Sequence, residues 1–346
     1  MRPIDLTPQV VRKGTFDGIV HHVGPTGYAS RRGAIYRSED DGRTWRPFGR
    51  LPLTLAQRFK SSGRLSRRLF RAAVHHVIPL TDGALVVFGY RAIWRLDSAG
   101  RCTGVSALHG SRPLCVAVAD DVVYYGEYRA NPEGSPVHVW ASSDQGATWA
   151  PVHRFTGVRH VHAVFSDPYD RALWITTGDS DHAAGIWRTG DRFETVERVA
   201  GGSQQTRAVQ LLFTREHVYF GSDAPTGANH IYRLRRADGA IEPLQAVEGP
   251  VYYGCRSGNH LFFSTACEPP TLRETRAVAV WSSSDGRQWR RIAVFRKDAW
   301  PAGIFQHGHV LFAGGPRTGR ADGVWLTPVA VGGDQRSLKI GFDAER

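Results

Sequence analysis

Apolar and polar positions alternate along most of this chain in short runs, and the runs come in groups of fixed size. An apolar–aromatic pair recurs at Ile35-Tyr36, Ile93-Trp94, Val139-Trp140, Ile186-Trp187, Ile231-Tyr232, Val280-Trp281 and Val324-Trp325. Successive pairs lie roughly 45–58 residues apart, the size of a unit of four strands. Ahead of the pairs stand β-branched and aromatic runs such as Ala84-Leu85-Val86-Val87-Phe88, Val122-Val123-Tyr124-Tyr125, Leu173-Trp174-Ile175, His217-Val218-Tyr219-Phe220 and Leu261-Phe262-Phe263. Gly, Asp or Asn bounds each run, as expected of strands closed by turns. The pattern predicts an all-β chain built from repeated four-stranded antiparallel sheets.

Three of the pairs lead into a second, more specific signal. The segments read Ser38-Glu39-Asp40-Asp41-Gly42-Arg43-Thr44-Trp45, Ser142-Ser143-Asp144-Gln145-Gly146-Ala147-Thr148-Trp149 and Ser282-Ser283-Ser284-Asp285-Gly286-Arg287-Gln288-Trp289. The shared pattern is S-x-D-x-G-x-T-W, altered at the Asp and Thr positions of the third copy. Its logic is local. Ser and Asp side chains bond nearby backbone amides and hold a tight turn. Gly takes a backbone conformation that other residues resist, and Trp plugs the apolar layer of the next strand. Traces persist at Asp97-Ser98-Ala99-Gly100 and Ala237-Asp238-Gly239. The pattern resembles the Asp-box, or bacterial neuraminidase (BNR) repeat, of sialidase-like β-propellers. The reading is therefore a seven-bladed β-propeller, with six blades as the alternative, over residues 1–346 as one domain. The ring is expected to close with a strand from near Val10-Val11 or from Leu338-Lys339-Ile340.

One segment breaks the rhythm. Residues 54–71 set Arg58, Lys60, Arg64, Arg67, Arg68 and Arg71 among Leu55, Phe59, Leu65, Leu69 and Phe70. It reads as a basic amphipathic helix or loop inserted between blades 1 and 2. A solvated helix packed on the propeller is the plain expectation, and contact with an anionic membrane surface the alternative.

Composition adds bounds. Hydrophobic residues make up 41%, enough for a large core, and 38 Gly and 10 Trp suit many turns and bulky plugs. The net charge of +12 favours acidic partners, chiefly an acidic carbohydrate or sugar-linked substrate. The aromatic–basic motifs of common RNA-binding modules are absent, so nucleic acid is not expected. The first residues lack an apolar run, and no stretch reaches about 18 apolar residues. The 4 cysteines lack CxxC spacing and read as reduced thiols. The expected location is cytoplasmic, peripheral to a membrane at most.

The resemblance also implies which connections work. Asp-box turns join third and fourth strands, so they are structural. The binding site is expected from the loops leading into first strands and from the second-to-third connections. Those positions hold His21-His22, His75-His76, Arg91, Glu127-Tyr128-Arg129, Arg159-His160-Val161-His162, Asp179, Gln204-Gln205-Thr206-Arg207, Asp223, Tyr252-Tyr253, Glu268 and Gln306-His307. From these we take His160, His162, Tyr253, Asp179 and Asp223 as candidate catalytic residues. Arg159, Arg207, Arg91, Gln205, His76, His22, His307 and Tyr252 are candidate substrate-binding residues. No metal and no cofactor is expected. His, Arg and Tyr suit elimination next to a sugar carboxylate, which needs a base, an acid and a cation. Paired carboxylates would instead suit hydrolysis. The short F/Y-R-I-P motif that opens true sialidases is missing. The function read from the sequence is a carbohydrate-active enzyme for an acidic glycan, a hydrolase or lyase. A non-catalytic glycan-binding or scaffold propeller is the alternative.

Overall fold

The computed structural model describes residues 4–7, 10–225, 227–269, 275–301, 304–314, 323–331 and 336–342. These form antiparallel sheets of four strands, seven in number, the blades of a seven-bladed β-propeller. Blade 1 comprises Ile19–His22, Gly27–Arg31, Ala34–Ser38 and Arg46–Arg50. Blade 2 comprises Val74–Pro79, Leu85–Gly89, Ala92–Leu96 and Cys102–Ala107. Blade 3 comprises Val116–Ala119, Val122–Gly126, Val137–Ser142 and Ala150–Phe155. Blade 4 comprises His160–Ser166, Leu173–Gly178, Gly185–Thr189 and Glu197–Gly201. Blade 5 comprises Ala208–Phe213, His217–Ser222, Asn229–Arg235 and Ile241–Val247. Blade 6 comprises Val251–Ser257, His260–Thr265, Ala277–Ser283 and Arg290–Arg296, with Ile4–Leu6 added on its outer edge.

Blade 7 is a composite. His309–Phe312, Val324–Val329 and Ser337–Phe342 pair in that order, and Val10–Phe16 completes the sheet against Ser337–Phe342. Both expected closing segments are thus used, one as third strand and one as fourth. The seventh apolar–aromatic pair is displaced as a result. In six blades the pair lies on the third strand, whereas Val324-Trp325 lies on the second. Trp325 is almost wholly buried and meets Trp45 edge-on, with ring centroids 6.0 Å apart.

By compactness the chain falls into two units. One holds residues 1–78, 96–102 and 252–346, the other 79–95 and 103–251. Each has its own apolar clusters, exemplified by Phe262, Val280, Phe295 and Leu326 in the first and Val139, Val161, Val164 and Ile175 in the second.

The box turns have the local construction that the motif implies. In blade 1, Ser38 Oγ donates to Asp40 Oδ1 (2.8 Å) and accepts from the Gly42 amide (2.9 Å). Asp40 accepts from the Thr44 amide (2.9 Å) and hydroxyl (2.6 Å). Blade 3 repeats this with Ser142, Asp144, Gly146 and Thr148. Gly42 has φ +81°, and a Cβ there would lie 2.5 Å from the Trp325 ring, so conformation and space both demand glycine. In blade 6 the turn is one residue tighter, with Ser283 and Asp285 as the anchors. The Asp position is intact, and the alignment on Ser282 is out by one residue.

Residues 54–71 form two helices, Leu55–Ser62 and Arg64–Phe70. Thr54 caps the first by a reciprocal bond with Gln57. Arg68 is fully buried, bonds Asp298 and lies over the Trp300 ring at 4.3 Å. The insertion is therefore anchored to its unit by a buried ion pair. Among the described residues no helix is long and apolar enough to cross a membrane.

Candidate functional site

The unit of residues 79–95 and 103–251 gathers polar side chains from the start of blade 4 and the lead-in to blade 5 onto one carboxylate, Asp179. Asp179 follows the second strand of blade 4, and its φ of +121° lies in a region that non-glycine residues rarely occupy. Arg159 and His160 stand at the start of that blade's first strand. Arg207 leads into blade 5. Arg159 Nη1 lies 3.2 Å from Asp179 Oδ2, and Arg207 Nη2 lies 3.2 Å from Oδ1. His160 Nε2 and His162 Nε2 approach the same Oδ1 at 3.3 and 3.7 Å. Asp223 sits behind Arg207, 3.3 Å from its Nε.

Local structure explains this convergence. Two residues apart on a regular strand would put His160 and His162 on one side, but the strand is not regular here. The pairing of blade 4's first two strands shifts between Val161 and Ala163, which makes His162 the extra residue of a bulge. Bulges re-aim side chains, and the two imidazole centroids end 5.0 Å apart. Gly178 faces the His162 ring so closely that a Cβ there would overlap it.

Both imidazoles are oriented from behind. His162 Nδ1 lies 2.8 Å from the Ala208 carbonyl, and His160 Nδ1 lies 3.3 Å from the Arg129 carbonyl. A carbonyl only accepts, so both Nδ1 atoms carry the proton and both Nε2 atoms face Asp179. Tyr128 packs on His160 with centroids 4.3 Å apart. Asn131 holds the Arg159 carbonyl (2.9 Å), and Arg129 pairs with Glu127 (2.8 Å).

The electrostatics separate the members of the cluster. Burial opposes ionisation of Asp179, but the two histidines and the Arg207 charge outweigh it and hold its carboxyl far below the usual range. Burial lowers the pKa of His162, with Asp179 opposing. His160 and His162 are buried, whereas the Arg159 side chain is 49% exposed and Asp179 22%. The cluster thus presents one solvent-facing cation over a fixed, ionised carboxylate.

Other candidates lie elsewhere. Gln205 is exposed in the turn Gln204–Thr206, and its neighbour Gln204 makes the contacts, donating to the Asp179 carbonyl (3.2 Å) and Asp181 (2.8 Å). Arg91 is exposed in the left-handed turn between the second and third strands of blade 2. The other unit holds a second group, in which the Tyr252 hydroxyl donates to Glu268 Oε2 (2.9 Å) and His307 Nδ1 lies 3.7 Å from that oxygen. Tyr253 packs on His309, with centroids 5.4 Å apart. His22 is driven down to about 4 by burial. His21 falls to about 3 by burial with help from the His76 charge.

A further box turn escaped the sequence pattern. In blade 4, Thr189, Asp191 and Thr195 make the same bonds as Ser38, Asp40 and Thr44. Thr replaces Ser, and Phe193 occupies the glycine position at φ +76°. The signal that would have found it is T-x-D at the end of a marker strand, with Thr four residues beyond the Asp.

The fold and this cluster define a seven-bladed β-propeller with an ionised carboxylate, two histidines and two arginines at the lead-in and second-to-third connections. No protein-family model matches the sequence, and no curated protein matches it. Solved structures do resemble it. A chain of a mitotic checkpoint complex superposes with a TM-score of 0.57 at 12% identity, covering 98% of this chain and 91% of that one. A chain of a nidogen/laminin complex gives 0.51 at 12%, covering 82% and 95%. A GH74 enzyme of Niastella koreensis gives 0.53 at 15%, covering 84% of this chain and 47% of the enzyme. At these identities the likeness is one of fold.

Proposed function

We propose that this protein is a carbohydrate-active enzyme that takes a carboxylated sugar unit at the Asp179 cluster and cleaves the adjacent linkage by β-elimination. The observation that carries the reading is the convergence of Arg159, Arg207, His160 and His162 on Asp179. Arg159, half exposed, meets the sugar carboxylate and neutralises it, which acidifies the neighbouring C–H. Tyr128 and the His160–His162–Asp179 unit are the groups at hand to manage the proton taken from that carbon and the one given to the leaving oxygen. Hydrolysis by paired carboxylates fits less well, because it needs one carboxyl held protonated and Asp179 is held ionised. The fold likeness to a GH74 enzyme supports a carbohydrate-active propeller; the other two neighbours come from protein complexes.

One observation favours a second reading. The Tyr252 hydroxyl donates to Glu268, and a carboxylate so placed can activate a hydroxyl as a nucleophile. Hydrolysis of an acidic sugar through Tyr252 would use it.

A panel of acidic oligosaccharides tests both. Elimination produces unsaturated uronates together with new reducing ends, and Arg159→Ala abolishes both. Reducing ends alone, lost in Tyr252→Phe, would establish the second reading. Silence in both assays with glycan binding retained would leave a non-catalytic glycan-binding propeller and overturn the enzyme proposal.

A further inference from the structure

Three residues able to offer a ligand atom each, His160, His162 and Asp179, meet at this cluster. With Nδ1–H of each histidine committed to a backbone carbonyl, His160 and His162 both point Nε2 at the Asp179 carboxylate. His160 Nε2 is buried and makes no hydrogen bond, since its 3.3 Å approach to Asp179 is poorly aligned. Arg207 satisfies the carboxylate but not the imidazoles, and it has Asp223 as a second partner.

We infer that His160, His162 and Asp179 form a binding site for a divalent transition-metal cation of the zinc type. The three ligand atoms lie within 4.8 Å of one another. A tetrahedral centre with bonds of about 2.0–2.2 Å sets its ligand atoms about 3.3–3.6 Å apart. The two nitrogen–carboxylate separations of 3.3 and 3.7 Å match that spacing. The imidazole and carboxylate donor set suits zinc and its neighbours rather than calcium or magnesium. Backbone carbonyls on both Nδ1–H groups are the outer shell that fixes ligating histidines. Three protein ligands leave a coordination position open, as in catalytic centres. Arg159, on the other carboxylate oxygen, remains available to a ligand. The inference goes beyond the carbohydrate reading and narrows it: with the cation bound, both Nε2 atoms are ligands, and of the groups named above Tyr128 is the one left to handle protons.

The test reads metal rather than turnover. The protein is stripped with a chelator and titrated with Zn2+ by calorimetry and with Co2+ by its visible absorption. One equivalent of Zn2+ is expected, with Co2+ bands of four- or five-coordinate intensity. His162→Gln and Asp179→Asn should each weaken Zn2+ binding at least about tenfold, the lower end of what even outer-shell partners contribute. Arg171→Ala, at an exposed residue paired with Asp120, should bind as the parent does. Thermal melts of each variant identify any that fail to fold, and His160→Gln then serves in its place. Failure of the stripped, folded protein to take up Zn2+ overturns the site, as does equal binding by the folded variants.

A separate observation concerns the helix pair. Leu55, Phe59, Leu65, Leu69 and Phe70 are 83, 69, 57, 43 and 47% exposed, an unusual density of large apolar groups at a surface. Arg58, Lys60, Arg64 and Arg71 are exposed among them, and residues 54–71 contain no acidic residue. Arg68, Asp298 and Trp300 pin the pair to its unit. The geometry points to an anionic lipid surface as the occupant, with apolar side chains entering the interface and cations meeting the headgroups. The full chain should sediment with phosphatidylserine/phosphatidylcholine vesicles and not with phosphatidylcholine alone. Phe59→Ser with Leu69→Ser should reduce binding at least about tenfold, in keeping with the apolar area lost. No sedimentation, or self-association through this face abolished by the same double substitution, overturns the lipid assignment.

Discussion

Asp40 and Asp179 are both aspartates held ionised by several hydrogen-bond partners, and they could hardly differ more in use. Asp40 takes its bonds from Ser38 and Thr44, within four residues of itself. Asp179 takes its contacts from Arg159, His160, His162 and Arg207, brought in from neighbouring strands and the next blade. The first arrangement closes on itself and holds a turn. The second leaves a cation facing solvent and draws two imidazole nitrogens to one carboxylate oxygen. Each is placed by its own blade, Asp40 at a third-to-fourth connection and Asp179 at the end of a second strand, beside the start of a first. A self-satisfied aspartate makes structure, and one satisfied only by distant groups is available for chemistry.

The largest expected effect breaks the comparison most directly. Asp179→Asn should lower turnover of an acidic glycan at least about 100-fold, the scale of a lost electrostatic or acid–base group. Asp40→Asn should lower the melting temperature with turnover unchanged. Equal losses of activity in the two would dissolve the distinction.

Trp325→Ala should cost about 3–5 kcal/mol, because it empties the space between the blade 1 turn and blade 7. Chemical denaturation measures this, and a loss under about 1 kcal/mol would mean the plug is dispensable. Gly178→Ala should be gentler on stability, about 1–3 kcal/mol for overpacking, yet it should displace the His162 ring and abolish Zn2+ uptake. Retained Zn2+ binding would show that the ring position is not critical.

The smallest effect concerns acid. Bonds from the Thr44 side chain and amide lower Asp40 to about 2, and those from Thr195 do the same for Asp191. Their folded pKa values lie below the ordinary 3.8, so their contribution to stability is complete above about pH 4. It drains away as the pH falls from about 4 toward about 2. In the double variant Asp40→Asn, Asp191→Asn, melting temperature should vary less steeply with pH across that window. An unchanged slope would show that these turns do not couple to folding.

The repeat was legible because it is local. Ile35-Tyr36 or Val139-Trp140 marks a third strand by its own composition, and Ser142-x-Asp144 announces its turn within a few residues. The blade 4 turn was missed because Thr189 and Phe193 fill the roles of Ser and Gly, which only the hydrogen bonds reveal. Trp325 was placed one strand out because blade 7 borrows its fourth strand from Val10–Phe16, a pairing across nearly the whole chain. Loop position put Arg159, His160, His162, Asp179 and Arg207 in one set, and the structure brings their side chains together. It could not separate Gln204 from Gln205, since that choice rests on the short turn from Gln204 to Thr206.

The sequence by itself determined the all-β class, the blade period, the box turns and the basic insertion. Each depends on spacing along the chain, and strand period and turn chemistry act over a few residues. Only the tertiary structure decided how blade 7 is assembled, that Arg68 is buried on Asp298, and that two histidines aim their Nε2 atoms at Asp179. Those depend on a bulge at His162, a missing Cβ at Gly178 and carbonyls from other strands. Such contacts join residues far apart in sequence, and no periodicity records them.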